Sequence, residues 1–344
     1  MRYLIIQTAF SDSAILIEPL IETIKYNDKD SFIVLLIAPH TKNIFTLNPN
    51  IDHIIQYDKH GKDSGISGLL RILKIIRGFG FDILISAHCS IRTSIISMFS
   101  KAKRKIGFKE SNLNFVYTDT VSKKELSHEM DKNLQLATPL NFQIIRKIHL
   151  YYPDDSKKLI EGIFEAYSIK EDDKIIGIAP ASVWPTKRWP KEYYKKVANT
   201  LTRKGYYVVL MGNHKDTQIT NFIKGNNEKI INLAGRTETG DLFYLISKIN
   251  LLISNDSIYV QIASAYNTPT IDIYGPTLPS FGFYPLSTKH KIIEIENLDC
   301  RPCSKNGNIS CHKGHFKCMM DIKPNIVLRA VYELLQIKGE KDEQ

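Results

Sequence analysis

Short apolar runs rich in β-branched residues alternate with longer stretches of helical spacing, and this alternation occurs twice along the chain. Runs of this kind suit strands buried on both faces, and the amphipathic stretches between them supply the helices that cover those faces. Strands are expected at residues 3–7, 32–37, 53–56 and 83–86, with helices at 14–24, 69–76 and 93–99. A polar stretch at 151–174 interrupts the pattern with Pro153, a cluster of acids and lysines and one expected helix, and the interdomain linker is placed there. The alternation then restarts, with strands expected at 175–179, 207–211, 230–233, 251–254 and 270–274 and a closing helix at 325–336. Such alternation implies an α/β chain whose parallel sheets carry helices on both faces. We expect two Rossmann-like, doubly wound domains facing a cleft, at 1–155 and 156–344, the second with a cysteine-rich loop at 299–322. A chain of 344 residues, 43% of them hydrophobic, is long enough for both cores.

The formal charge of +10 favours an anionic partner, whether nucleic acid, a membrane surface or a phosphorylated substrate. The first ten residues are too weakly apolar for a signal peptide, and no later run is long enough to span a bilayer, so a cytoplasmic protein is expected. Four of the five cysteines, Cys300, Cys303, Cys311 and Cys318, lie close together. In a reducing compartment that spacing fits a tetrahedral thiolate site for zinc or iron, with disulfides or small buried cysteines as the alternatives. His312 and His315 lie within the loop as replacement ligands, and four thiolates would leave no open position, so the metal's role would be structural. Cys89 stands apart and reads as core.

In doubly wound sheets ligands bind beyond the carboxyl ends of the strands, at helix N-termini. After the strand ending near Ala179, the loop at 181–190 holds Ser182, Thr186 and Lys187, and Pro190 suits the first position of a helix starting at Lys191. A hydroxyl, a lysine and helix N–H groups there could hold a diphosphate; the plainer reading is a polar surface loop. Asn255, Asp256 and Ser257 stand at a second such junction, where the Asn and Asp side chains are natural N-caps. Asp216, after the strand at 207–211, stands where a ribose hydroxyl could be held.

The segments 187–190 (Lys-Arg-Trp-Pro), 254–257 (Ser-Asn-Asp-Ser) and 274–277 (Tyr-Gly-Pro-Thr) resemble the donor-domain motifs of glycosyltransferase family 9, the bacterial ADP-heptose lipopolysaccharide heptosyltransferases. Residues 7–10, 57–61, 88–94, 106–108, 128–129 and 133–134 resemble motifs of the heptosyltransferase II branch in order, and so does the cysteine loop. The resemblance implies a GT-B fold with the acceptor in the first domain and the nucleotide sugar in the second. It implies inverting transfer of heptose, or a related sugar, from ADP-heptose to the lipopolysaccharide inner core, with no cofactor for catalysis. Carried over by position, Lys187 neutralises the leaving diphosphate, Ser182 contacts it, Asp216 holds the ribose, and Asp256 with Ser257 lines the donor site; Thr186 and Gln261 are also expected to bind substrate. The basic residues Lys59, Lys62, Arg92 and Lys105 are assigned to a phosphorylated lipid A–core acceptor. Peripheral contact with the inner face of the cytoplasmic membrane follows, and nucleic acid is not an expected partner.

The sequence departs from the family pattern in three places. An ungapped match puts Ser13 where the family has its catalytic Asp, and Asp12 where it has Gly; either Asp12 serves as the base from a shifted loop or the base is missing, and Ser11 and Asp12 could equally cap the first helix. Glu18 is the next carboxylate in line. Ile258 replaces a family glycine and Gln261 a family histidine. The alternative function is a catalytically impaired relative that binds a phosphorylated glycan or a protein partner.

Overall fold

The computed structural model describes residues 1–9, 11–124 and 128–336. Phe10, the last residue of the first motif, lies outside the described residues. The chain divides into two compact units, Met1–Tyr151 and Tyr152–Gln344.

The first unit runs β1 (Arg2–Gln7), α1 (Ser11–Ile15), α2 (Glu18–Asn27), β2 (Phe32–Ile37), α3 (Lys42–Phe45), β3 (His53–Gln56) and α4 (Gly65–Phe79). It continues with β4 (Ile83–Ser86), α5 (Ile91–Phe99), β5 (Arg104–Phe108), a 3-10 turn at Asn114–Val116, β6 (Asp119–Val121) and α6 (Glu129–Gln135). The six strands form one parallel sheet in the order β3-β2-β1-β4-β5-β6. Strands β1, β2 and β4 are almost wholly apolar and lie in the middle of the sheet, where both faces are covered. On one face Ile72, Leu73 and Ile76 of α4 and Ile96 of α5 pack on Leu4, Ile6, Val34, Leu36 and Leu84. Each such side chain contributes roughly 1.5–3 kcal/mol relative to exposure. Gly80 ends α4 at φ 65°, a left-handed conformation that a side chain would strain.

The second unit runs α7 (Asp154–Ala166), β7 (Ile175–Ala179), α8 (Lys191–Arg203), β8 (Tyr207–Leu210), α9 (Thr217–Lys224), β9 (Ile230–Asn232) and α10 (Thr239–Lys248). It continues with β10 (Leu251–Asn255), α11 (Ile258–Tyr266), β11 (Thr270–Ile273), β12 (His290–Ile293), α12 (Lys317–Met320) and α13 (Pro324–Leu335). Its sheet is parallel, in the order β12-β11-β10-β7-β8-β9. Val197 and Leu201 of α8 and Val327 and Val331 of α13 cover Ile176, Ile178, Ile253 and Ile271.

The structure corrects the sequence reading in detail. Among the described residues each sheet has six strands, against the four and five expected. The additional strands, β5, β6 and β12, open with polar residues (Arg104 and Lys105, Asp119, His290 and Lys291) and so lack the apolar run that marks a central strand. The single helix expected at 14–24 is two, because Pro19 occupies the first turn of α2, where its missing N–H is tolerated. In the stretch read as the linker, α7 packs on α10, and the Tyr244 hydroxyl donates to Glu161 at 2.6 Å. Pro190 sits one residue before the first helical position of α8. Among the described residues, no helix is long and apolar enough to cross a membrane.

Candidate functional site

In each sheet the first strand of the winding lies between neighbours reached in opposite directions: β1 between β2 and β4, and β7 between β8 and β10. At such a switch point the loops beyond two adjacent strands diverge and leave a crevice, which is where doubly wound folds take ligands.

In the second unit, the loops after β7 and β10 meet through a buried ion pair. Lys187 ends a 3-10 turn (Pro185–Lys187), and its Nζ lies 2.7 Å from Asp256 Oδ2, with both side chains only 9% exposed. The same carboxylate oxygen accepts a hydrogen bond from Thr277 Oγ1 at 2.8 Å, which draws in the loop after β11. Asn255 fixes the register between the loops: its Oδ1 accepts from the Trp189 N–H and the Tyr194 hydroxyl, and its Nδ2 donates to Pro180 O. Neither Asn255 nor Asp256 caps α11, whose N-cap is Ser257 with no side-chain cap; the Ser257 hydroxyl bonds instead to Ser254 Oγ at 2.9 Å. Capping therefore does not account for either residue.

Asp272, on β11, was not assigned from sequence. It is fully buried beside the pair, and burial followed by the charge of Asp256 holds its carboxyl well above the usual range, against the opposing pull of Lys187. A carboxylate in the middle of a strand otherwise read as buried was the available signal. Asp272 thus adds a second carboxyl to the interior that holds Lys187 and Asp256, and its burial disfavours the charged form.

The cysteine loop supports this turn directly. Thr186 and Asn308 exchange three hydrogen bonds: Thr186 N and Oγ1 to Asn308 O, and Asn308 N to Thr186 Oγ1. Gly307 packs under the same turn at φ 106°, where a Cβ would come within 2.6 Å of Trp184 Cβ. Cys303, Cys311 and Cys318 line a small pocket with Thr186, Asn308 and His312. Burial and then the neighbouring Cys303 push the Cys318 thiol up to about 11, and Cys303 is raised by burial and by Cys300. Among the described residues, no three of these sulfurs draw within 4.8 Å of one another.

The remaining residues assigned to the donor are tied into the local fold. Asp216 is buried and closes a capping box, its Oδ2 accepting from the Asn213 N–H at 2.9 Å. Gln261 is buried and donates to Phe283 O. Ser182 is half-buried, and its carbonyl accepts from Arg188 Nε.

In the first unit, the loops after β1, β3 and β4 converge on a cluster of cations. Thr8 Oγ1 bonds His88 Nδ1 at 2.9 Å, Lys59 Nζ donates to Thr8 O at 3.0 Å, and Arg92 Nη1 donates to Lys59 O at 3.0 Å. Lys123, unassigned from sequence, enters the cluster through Cys89 Sγ at 3.4 Å. Burial and the charges of Lys59 and Lys123 push the His88 ring down to about 4, so it is neutral at pH 7. Burial, then Arg92, also lowers Lys59.

Asp12 lies half-buried in the first turn of α1, with Oδ1 accepting from the Ser13 N–H at 2.9 Å. Lys62 is exposed on a loop held by Asp58 and Asp63. Lys105 is not part of this cluster. It sits early in β5 and donates to Met98 O in the last turn of α5, whereas Arg92 opens that helix, roughly 9 Å up its axis at 1.5 Å per residue. Glu18 is also closed to an acceptor: it is fully buried, taking the His149 N–H at 2.7 Å, and burial pushes its carboxyl up to about 8.

Comparison with known proteins agrees with this geometry. The pattern of glycosyltransferase family 9 (heptosyltransferase) matches residues 69–313. The lipooligosaccharide heptosyltransferase 2 of Haemophilus influenzae is 30% identical over 278 residues, covering 74% of this chain and 77% of that protein. The family 9 glycosyl transferase structure from Veillonella parvula superposes with a TM-score of 0.85 at 24% identity, covering 97% of each chain. The Escherichia coli ADP-heptose lipopolysaccharide heptosyltransferase II gives 0.76 at 22% identity, covering 98% of this chain and 99% of that one. With two doubly wound sheets, a buried lysine at one switch point and this match over most of its length, the chain belongs to glycosyltransferase family 9, the heptosyltransferases, and is a glycosyltransferase of the GT-B fold.

Proposed function

We propose that this enzyme transfers heptose from ADP-heptose, with inversion, to a phosphorylated lipid A–core acceptor at the inner face of the cytoplasmic membrane. The observation that carries the reading is the buried Lys187–Asp256 pair at the switch point of the second unit. A lysine held there by one carboxylate is a preorganised charge for a diphosphate, and charge develops on that leaving group as the glycosidic bond breaks. In the transfer, Asp12 takes the proton of the acceptor hydroxyl, whose oxygen forms the new bond to the anomeric carbon. The bond from that carbon to the diphosphate breaks, and its electron pair leaves with the nucleotide beside Lys187. Lys59 and Arg92, with Lys123, meet the acceptor phosphate, and the neutral His88 keeps Thr8 in place. Calorimetric titration with ADP-heptose, ADP and UDP-sugars tests the reading. It predicts binding of the adenosine ligands and inverted product; binding of none of them at millimolar concentration overturns it.

We further propose that Cys300, Cys303, Cys311 and Cys318 hold one structural zinc or iron. Soft thiolate donors suit either metal, and thiols that raise one another's pKa are those a cation would deprotonate. The sulfurs would have to draw together on binding, which would tighten the loop that clasps Thr186.

A further inference from the structure

We infer that the outer face of α4, continued by the start of α5 and the turn at Asn114–Val116, is a docking surface for an anionic lipid bilayer. This specifies the membrane contact proposed above and rests on that reading for its purpose, not for its evidence.

Helix α4 buries Ile72, Leu73 and Ile76 in the core, yet Ile66 and Leu70, one turn apart on its other side, are 78% and 60% exposed. Nothing in the fold of the unit requires apolar side chains at those positions. Ile91, at the start of α5, and Phe115, 74% exposed on the following turn, extend the apolar set. These elements lie side by side: α4 touches α5, α5 touches the turn, and Ile76, Ile96 and Val116 pack on one cluster over the same sheet face.

The charge on this stretch is one-sided. Residues 64–116 carry nine lysines and arginines against two carboxylates, Asp82 and Glu110; Asp82 is paired with Lys103, and Arg104 is paired with Asp119. On α4, Lys74 and Arg77 are exposed in the two turns after Leu70, and Arg71 is paired with the buried Asp63. Protruding Ile, Leu and Phe side chains among cations match the interfacial layer of an anionic membrane, where apolar groups enter the acyl boundary and lysines and arginines meet phosphate headgroups. A protein groove would need shape complementarity, whereas a bilayer needs only this mixture on a convex helix. The loop at 58–64, which presents Lys59 to the acceptor site, leads directly into α4, so docking would set that site at the headgroup level.

Cosedimentation of the full chain with phosphatidylglycerol-containing vesicles and with pure phosphatidylcholine vesicles, at low and high salt, tests this. Binding to the anionic vesicles is expected, weakened at high salt. Ile66→Ser/Leu70→Ser should reduce it at least tenfold, and Lys74→Glu/Arg77→Glu by more, at roughly fivefold per cation removed. Thermal unfolding and ADP-heptose affinity serve as controls for folding and should not change. Unchanged pelleting in both variants overturns the proposal, as does equal binding to neutral vesicles. If wild type binds ADP-heptose and transfers sugar but ignores anionic vesicles, the surface assignment fails while the enzymatic reading stands. If it instead self-associates in sedimentation through Ile66 and Leu70, the face belongs to a second copy and the lipid proposal is wrong.

Discussion

Replacing Lys187 with methionine removes a charge and keeps most of the stem, and two consequences can be separated. The first concerns the fold. The ammonium group is 2.7 Å from Asp256, both side chains are nine-tenths buried, and Asp272 lies beyond them in the same interior. Removing one partner of a buried pair leaves the other uncompensated, which costs about 3–5 kcal/mol unless the survivor takes up a proton. Asp256 keeps one hydrogen bond, from Thr277, so the lower end of that range is expected. The second consequence concerns the ligand. Losing this cation should weaken nucleotide binding by about 2–3 kcal/mol, roughly 30- to 150-fold, and lower turnover by about 100- to 1,000-fold. A double variant, Lys187→Met/Asp256→Asn, distinguishes the two. Chemical denaturation should recover most of the lost stability, because no stranded charge remains, while calorimetry with ADP-heptose shows no recovery of affinity. If Lys187→Met binds nucleotide as wild type does, or if the double variant regains affinity along with stability, the pair is only structural and the donor site lies elsewhere.

Asp12→Ala should lower turnover by about 100- to 10,000-fold with nucleotide affinity nearly intact; equal activity in steady-state assays would move the base to another group, and Glu18 is not available for it. Lys59→Ala/Arg92→Ala should weaken acceptor binding at physiological salt, whereas Lys105→Ala should leave it unchanged, since Lys105 is bonded at the far end of α5. Elemental analysis of protein purified without chelator should find about one zinc or iron per chain, and stripping it should weaken nucleotide binding through the Thr186–Asn308 contact; four freely titratable thiols and no metal would refute this. Glu18 titrates at about 8 in the fold against 4.5 when unperturbed, so its contribution to stability is present below about pH 4.5 and is lost as pH rises through 8. Glu18→Gln should therefore raise stability at pH 8 relative to pH 5 in urea denaturation, and an unchanged pH dependence would show that the carboxyl is already ionised.

The chain by itself determined the class of fold and the junctions that matter. Apolar, β-branched runs such as 33–37 and 175–179, spaced by helical stretches, read as central parallel strands, and the polar residues that follow them fall at strand ends. The placement of Lys187 and Asp256 beyond strand ends was legible on those grounds, whereas Arg92 was assigned from the family resemblance. Strands β5, β6 and β12 were not, because their opening residues are polar and carry no central-strand pattern. What only the tertiary structure decided is which of these residues meet. The sequence separates Asp272, Asp256 and Lys187, and placing them together depends on β10 lying between β7 and β11. The same holds for Asp256, which reads locally as a helix cap until Lys187 is brought within 2.7 Å of it. It holds also for Asn308, whose bonds to Thr186 cross 122 residues of chain. Local pattern fixes the backbone through short-range sterics and solvation, whereas the pairing of charges depends on strand order, which is settled only when both faces of the sheet are covered.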